Sequence, residues 1–391
     1  MTSNPREHAR GGRRPLTGWF LAATLSIAGG VSVAGDRGWS YATPGRPVTV
    51  PADHVSHPEY KIEWWYYTGN LDTRDGRRFG YQLTFFRVGI DPAPTNPSRW
   101  TVRDLHMAHF AVTDVTNGRF RFFERLQREG AGWAGASTRR LHVWNGRWSA
   151  EDRPDGSQRI RALQDGFALD LELGRNAPFS ERGDRRWVAQ GENGYSRKGG
   201  RSGNASYYYS MTRLDSRGTV TFEGTTHEVT GQSWMDHEFG TSMLEPDQVG
   251  WDWFALQLAD GRDIMLYQMR RKNGSRDPHS VGTIVTPGRA VRRLRSGDYA
   301  LEPLEYWTSP ATGIRYPLRW RVDIPAERLT LEVRAAVRAQ ELHTPASTAV
   351  TYWEGAVDVS GTAGDRRLMG RGYMELTGYS GVPLSESFRE R

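Results

Sequence analysis

The chain has 391 residues, a formal charge of +7 and no cysteine. The missing thiols remove disulfides, thiolate nucleophiles and cysteine-ligated zinc in one step. Only three residues are lysine (Lys61, Lys198 and Lys272), and the arginines are scattered rather than massed in one run, so no nucleic-acid partner is expected.

In chain order, the N-terminus comes first. Arg6, Arg10, Arg13 and Arg14 precede a stretch without charge from Pro15 to Ala34. A basic start, an apolar run and small residues at Ser32 and Ala34 predict that residues 1–34 are an export signal, with an uncleaved membrane anchor over residues 16–34 as the alternative. The expected location is periplasmic or secreted. Residues 35–55, rich in glycine and proline, read as an extended lead-in.

From residue 56 the pattern has a period of two. "KIEWWYYTGNL" runs through the turn "DTRDGRR" into "FGYQLTFFRVGI", which puts Phe79, Tyr81, Leu83 and Phe85 on one face. An Asp-Gly pair between alternating runs signals a hairpin. The same succession recurs in "RIRALQDGFALDLEL", "YYYSMTRLDSRGTVTFEG" and "WDWFALQLADGRDIMLYQMRR". Even "ERLTLEVRAAVRAQEL" alternates at Leu329, Leu331 and Val333 and reads as a strand. Many strands at short, even spacing predict an all-β chain of barrels or sandwiches. Two units are expected, residues 56–225 and 226–391, with Arg175 to Ser206 forming a long loop over the first.

No G-x-S-x-G, H-E-x-x-H or strand-linked G-x-G-x-x-G occurs, so serine-hydrolase, zincin and nucleotide-loop chemistry has no foothold. The densest chemistry is "TGQSWMDHEFG", Thr230 to Gly240. On a regular strand Trp234, Asp236 and Glu238 face one way, and Met235, His237 and Phe239 the other. Two close carboxylates in a closed interior push one pKa up, which is how a neutral general acid arises. The plainer alternative is a pair of carboxylates braced by backbone amides or arginines. In "WDWFALQ" the residues Trp251, Trp253, Ala255 and Gln257 share a face. In "IEWWYYTGN" Glu63, Trp65 and Tyr67 share one, and Glu63 needs a partner, for which Arg87 is the candidate. His106 and His109 stand three apart and so face opposite sides of a strand, which argues against a shared metal. No metal or other cofactor is expected.

These segments, with "LTFFR", "HMAHFAVTD" and "YWEGAVDVSG…RGYMELTGY", resemble the AttH-type family. That family includes bacterial proteins labelled predicted secreted hydrolases and is related to carotenoid 1,2-hydratases. The resemblance runs from Val48 to Tyr379. It implies two lipocalin-like antiparallel β-barrels packed side by side with a shared cleft, and such barrels hold one small apolar ligand. The family's W-x-D-H-E-x-G segment matches at Trp234, Asp236, His237, Glu238 and Gly240. In the hydratases a tyrosine and an aspartate on a following strand supply the acid. In "IMLYQMR" Tyr267 matches, while Gln268 and Met269 bring no carboxylate. The family's association with ABC-transporter operons implies lipid traffic at a membrane.

Two functions are expected. The first is an exported carrier of an apolar, lipid-like or isoprenoid-like ligand held between the barrels, with a membrane ABC transporter as partner. Trp234, Trp251, Trp253, Gln257, Trp65, Glu63 and His109 would line its site. The second is an acid-base enzyme of hydratase, isomerase or hydrolase type on an apolar substrate. There Asp236 is the proton donor, Glu238 its pKa partner, His237 an orienting group or base, and Tyr267 the matched phenol.

Overall fold

The computed structural model describes residues 38–98, 100–174, 187–241 and 244–381. The expected signal or anchor, and residues 175–186 of the expected long loop, lie outside the described residues.

The period-two runs are strands. The first sheet holds β1 (Ile62–Asp72), β2 (Arg78–Gly89), β3 (Asp104–Asp114), β4 (Arg119–Arg128), β5 (Ala134–Ala136), β6 (His142–Asn145), β7 (Trp148–Asp152), β8 (Gln158–Gln164), β9 (Phe167–Leu173), β10 (Val188–Ala189), β11 (Tyr195–Arg197), β12 (Ala205–Phe222) and β13 (Thr225–Gly240). The second holds β14 (Gln248–Leu258), β15 (Asp263–Arg271), β16 (Val281–Val285), β17 (Arg292–Arg295), β18 (Ala300–Thr308), β19 (Arg315–Ile324), β20 (Leu329–Ala335), β21 (Glu341–His343), β22 (Thr351–Ala363) and β23 (Arg366–Leu376). All the pairings are antiparallel. No helix among the described residues is long and apolar enough to cross a membrane.

Both sheets follow one plan. The last strand returns to the first: β13 lies between β1 and β12, and β23 between β14 and β22. Each sheet is open at a single seam, between β4 and β5 in the first and between β17 and β18 in the second. Across the first seam Arg125 donates to the carbonyl of Asn145, and Asn145 donates to that of His106, each at 3.0 Å. The result is a nearly closed barrel beside a half-barrel, the lipocalin-like pair that was expected.

The expected division at residue 226 is displaced. Thr225–Gly240 closes the first barrel instead of opening the second, so the crossing falls in residues 241–247. The turn-rich stretch at Glu223-Gly224 is a hairpin within that barrel, with φ of 50° and 81° at its two residues. Positive φ at both central positions is what a tight two-residue hairpin requires. Turn residues mark hairpins inside a barrel as strongly as junctions between barrels.

The inward faces of the first sheet make one core, which includes Trp65, Tyr67, Phe79, Tyr81, Leu83, Phe85, Met235 and Phe239. The second barrel has its own, around Phe254, Leu256, Trp320 and Trp353. A third apolar layer lies between the sheets, where β1 meets β23, β2 meets β22 and β12 meets β14. Tyr66, Tyr208, Trp234, Trp253, Tyr267 and Tyr373 fill it. The approach is close: a Cβ on Gly80 would stand 2.9 Å from that of Ala356. At the rim, Arg371 pairs with Asp72 and Arg78 with Asp358, both at 2.6 Å.

Candidate functional site

Strand β13 is regular from Thr230 to Gly240, each residue opposite one of β1. The alternation therefore holds, and it splits the Asp-His-Glu run. Asp236 and Glu238 point into the layer between the sheets. His237 points into the first barrel. On β12 the same rule sends Ser206, Tyr208 and Ser210 outward beside them, and Tyr207 and Tyr209 inward.

Asp236 is 4% exposed and accepts three hydrogen bonds. Ser210 donates at 2.5 Å, Tyr208 at 2.6 Å and the Trp234 indole at 2.7 Å. Three donors favour the carboxylate, yet burial outweighs them and the neighbouring Glu238 adds to it. The Asp236 carboxyl is pushed up to about 7. Burial penalises the ionised form, and a like charge nearby does the same. Tyr208 is itself held in place by the Trp253 indole, which donates to its hydroxyl at 3.2 Å.

Glu238 is handled differently. The Lys198 ammonium stands 2.7 Å from its Oε1, which also accepts the Ser206 hydroxyl. Burial pulls the lysine down, but Glu238, Tyr267 and Asp236 together outweigh it and the ammonium is raised above its ordinary value. Lys198 also lies over the rings of Tyr208 and Tyr267, 5.1 Å and 4.7 Å from their centroids, within cation–π reach. The Tyr267 hydroxyl is 3.3 Å from Ser196 Oγ.

Two more carboxyls close the layer from the second sheet. Glu375 lies opposite Trp253 on one side and opposite Glu354 on the other. It accepts the Trp251 indole at 3.2 Å. Burial raises the Glu375 carboxyl to about 7, with Asp236 and Glu238 adding to the rise. Burial and then Glu375 push Glu354 well above the usual carboxylate range. Glu354 Oε1 is buried with no hydrogen-bond partner among the described residues. Four acids and one ammonium thus meet between two sheets.

Residues 41–379 match the AttH-like family. The chain belongs to that family. An AttH-type protein from Nitrosomonas europaea, known as a crystal structure, is 32% identical to this AttH-like chain, with a TM-score of 0.77 over 87% of this chain and 99% of the other. Kievitone hydratase from Nectria haematococca shares the fold at 15% identity, with a TM-score of 0.65 over 88% of this chain and 97% of the other. Among curated proteins the sequence has no significant match.

Within the AttH-like fold the expected site residues separate into three places. Asp236, Glu238, Tyr267, Trp234, Trp251 and Trp253 gather between the sheets. Gln257 reaches the same layer but donates to the backbone carbonyls of Thr212 and Ser233, at 2.7 and 3.2 Å. His109 stands apart at another sheet contact, 2.7 Å from the Tyr352 hydroxyl and 2.9 Å from Ser347 Oγ.

His237, Glu63 and Trp65 sit inside the first barrel, behind β13. This corrects the expectation that His237 serves Asp236 and that Glu63 and Trp65 line the shared cleft. The Trp65 ring stacks on His237 with centroids 4.9 Å apart. Glu63 accepts from His237 Nε2 at 2.9 Å, His57 Nδ1 at 3.1 Å, Ser56 at 2.7 Å and Arg87 at 3.0 Å. Arg87 is thus the partner the sequence suggested. His57 Nε2 meets Asp53 at 3.2 Å, and despite its burial these two carboxylates raise the imidazole above its ordinary value. His57, Glu63 and His237 bring ligand atoms within 4.8 Å of one another, a spacing that suits a metal ion. Both histidine nitrogens already stand at hydrogen-bond distance from Glu63 Oε1, and Arg87 holds Oε2, so the geometry fits an ion-pair network better.

Sequence reasoning passed over Lys198, Tyr208, Ser210, Glu354 and Glu375. The two glutamates were in view, inside "YWEGAVDVSG" and "RGYMELTGY". Lys198 sits in a polar glycine-rich loop that gives no sign of its partner.

Among the described residues, the hollow that touches the layer is small, about 10 Å³, between Trp234, Gln257, Thr68 and Tyr373, room for about one water. A groove of about 780 Å³ lies elsewhere on the first sheet and is charged, with Arg74, Arg153, Arg159, Arg217, Asp170 and Glu172 in its walls. Lys198 and Glu375 are the partly exposed members of the acid cluster, while Asp236, Glu238 and Glu354 are buried.

Proposed function

We propose that the layer between the sheets is an acid–base site that adds water to, or removes it from, a carbon–carbon double bond in a small, largely apolar molecule. The observation that carries this reading is Asp236, a buried carboxyl with a pKa of about 7 among indole and phenol rings. A general acid works best when its pKa lies near the working pH. In hydration, protonated Asp236 gives its proton to one alkene carbon and leaves a carbocation at the other. The ring faces of Trp253 and Tyr208 stabilise that positive charge. Water adds to the cation and passes its extra proton to the Asp236 carboxylate, which restores the acid. Lys198 keeps a positive charge 2.7 Å from Glu238, and this pair orients the water.

Kievitone hydratase, by its name, is a hydratase; at 15% identity its likeness speaks for the fold, and the reading rests on Asp236. The carrier reading has less behind it. The hollow in the apolar layer has room for about one water, and the larger groove has charged walls. As folded, the layer has room for about one water, so a substrate or a carried ligand alike requires the layer to open. We place the reaction outside the cytoplasm, on the strength of the basic start and the uncharged stretch from Pro15 to Ala34.

The test uses water labelled with oxygen-18 and a panel of isoprenoid alkenes and unsaturated ketones. Mass spectrometry should find one panel member that gains one labelled water with the protein and not with Asp236→Asn. Equal gain with both proteins, or saturable binding of a panel member without any gain, defeats the proposal.

A further inference from the structure

The end of the first barrel carries an apolar patch that the site does not use. Trp100 and Trp133 are 58% and 53% exposed, with ring centroids 6.4 Å apart. Ile90 and Leu126 are each 44% exposed; Ile90 lies in the same loop as Trp100, and Leu126 lies two residues before Arg128 on β4. Large apolar side chains scattered singly over a surface are ordinary, but two exposed indoles in contact are not. The Arg128 guanidinium lies 4.6 Å from the Trp100 ring centroid and donates to the Trp100 carbonyl at 3.1 Å. It has no acidic partner among the described residues. Arg103, whose backbone carbonyl accepts from Ile90 at 2.8 Å, already has its guanidinium 3.7 Å from Asp104 Oδ2 and within 3.4 Å of the Pro58 carbonyl.

The start of the described chain is at this same end. A Cβ on Gly38 would lie 2.7 Å from Pro92, and the Trp39 ring covers Gly89. Pro92 and Trp100 belong to the loop between β2 and β3. The uncharged stretch that ends at Ala34 is four residues before Gly38 in the sequence. Indoles beside an arginine suit the boundary between headgroups and acyl chains, where the ring is half-buried and the guanidinium meets phosphate.

We propose that this face docks on an anionic lipid surface, with Trp100 and Trp133 entering the headgroup layer and Arg128 pairing with a phosphate. The site between the sheets then works on a molecule drawn from, or returned to, that surface. The docking itself does not depend on the acid–base reading.

The absence of cysteine makes the test direct. In the full chain, Ser98→Cys carries an environment-sensitive fluorophore beside Trp100, and Gly297→Cys, where a Cβ meets only open space, carries it on the second barrel. Vesicles of equimolar phosphatidylcholine and phosphatidylglycerol should shift the first label to the blue and leave the second unchanged. Trp100→Ala with Trp133→Ala should abolish the shift, and Arg128→Ala should weaken vesicle affinity about fivefold. Both tryptophans are exposed, so their loss leaves the fold intact. No shift at residue 98, a shift that survives the double variant, or an equal shift with phosphatidylcholine alone would overturn the proposal. A shift caused only by self-association would appear without vesicles as protein concentration rises, and would overturn it too.

Discussion

The Tyr208 phenol donates to Oδ2 of Asp236 at 2.6 Å in the layer between the sheets. One residue further along the same two strands, Tyr209 meets His237 at 3.1 Å on the opposite face. The first pair belongs to the acid cluster and the second to the buried ion-pair network. A single hairpin thus separates two kinds of polar chemistry by its pleat alone.

If Asp236 is the proton donor, Asp236→Asn should lower turnover by about 10²–10⁴-fold. An amide fits the space and still accepts from Ser210 and Trp234, so the thermal midpoint should move by only a few degrees. Activity and melting should be measured on the same sample.

Tyr208→Phe removes one of the hydrogen bonds that favour the Asp236 carboxylate. The Asp236 carboxyl should then titrate above its present value of about 7, and the alkaline limb of the rate profile should move up in pH. The stability cost should be about 0.5–1.5 kcal/mol. A pH–rate profile that does not move would mean that Tyr208 does not act on this proton.

Stability should depend on pH through the same cluster. Asp236 rises from 3.8 to about 7 on folding, and Glu375 from 4.5 to about 7. Below pH 3.8 both groups are protonated whether folded or unfolded. Between there and about 7 the unfolded chain ionises first, so their contribution to stability is lost as pH rises. Other groups titrate too, so the difference between wild type and Glu375→Gln is the quantity to follow. In urea titrations the variant should lose less stability than wild type between pH 5 and pH 8, windows set by the values of about 7.

Glu63→Gln should act on stability rather than on chemistry. It leaves Arg87, 2% exposed, and His57 without a carboxylate they now share. Arg87 keeps Asp104 at 2.9 Å and His57 keeps Asp53 at 3.2 Å. The cost, readable in the urea midpoint, should therefore fall below the roughly 3–5 kcal/mol of a buried charge left with no partner. The alkaline limb set by Asp236, on the other side of β13, should stay where it is in whatever fraction remains folded.

Much of this was legible in the residues themselves. The need of a carboxylate among aromatic rings for a partner pointed from Glu63 to Arg87, and alternation alone put Phe79, Tyr81, Leu83 and Phe85 on one face and separated Asp236 and Glu238 from His237. The facings are consequences of the strand's period of two, which needs no knowledge of any other strand. The tertiary structure decided which barrel β13 belongs to, because closure depends on which first strand it meets, and turn residues do not encode that. It also decided the chemistry of Asp236. Its proton affinity is set by burial and by the neighbours Ser210, Tyr208, Trp234 and Glu238, and the acid cluster is completed by Glu354 and Glu375, more than a hundred residues away in the chain. A carboxyl's proton affinity is a property of the space around it, and that space exists only once two separate sheets have come together.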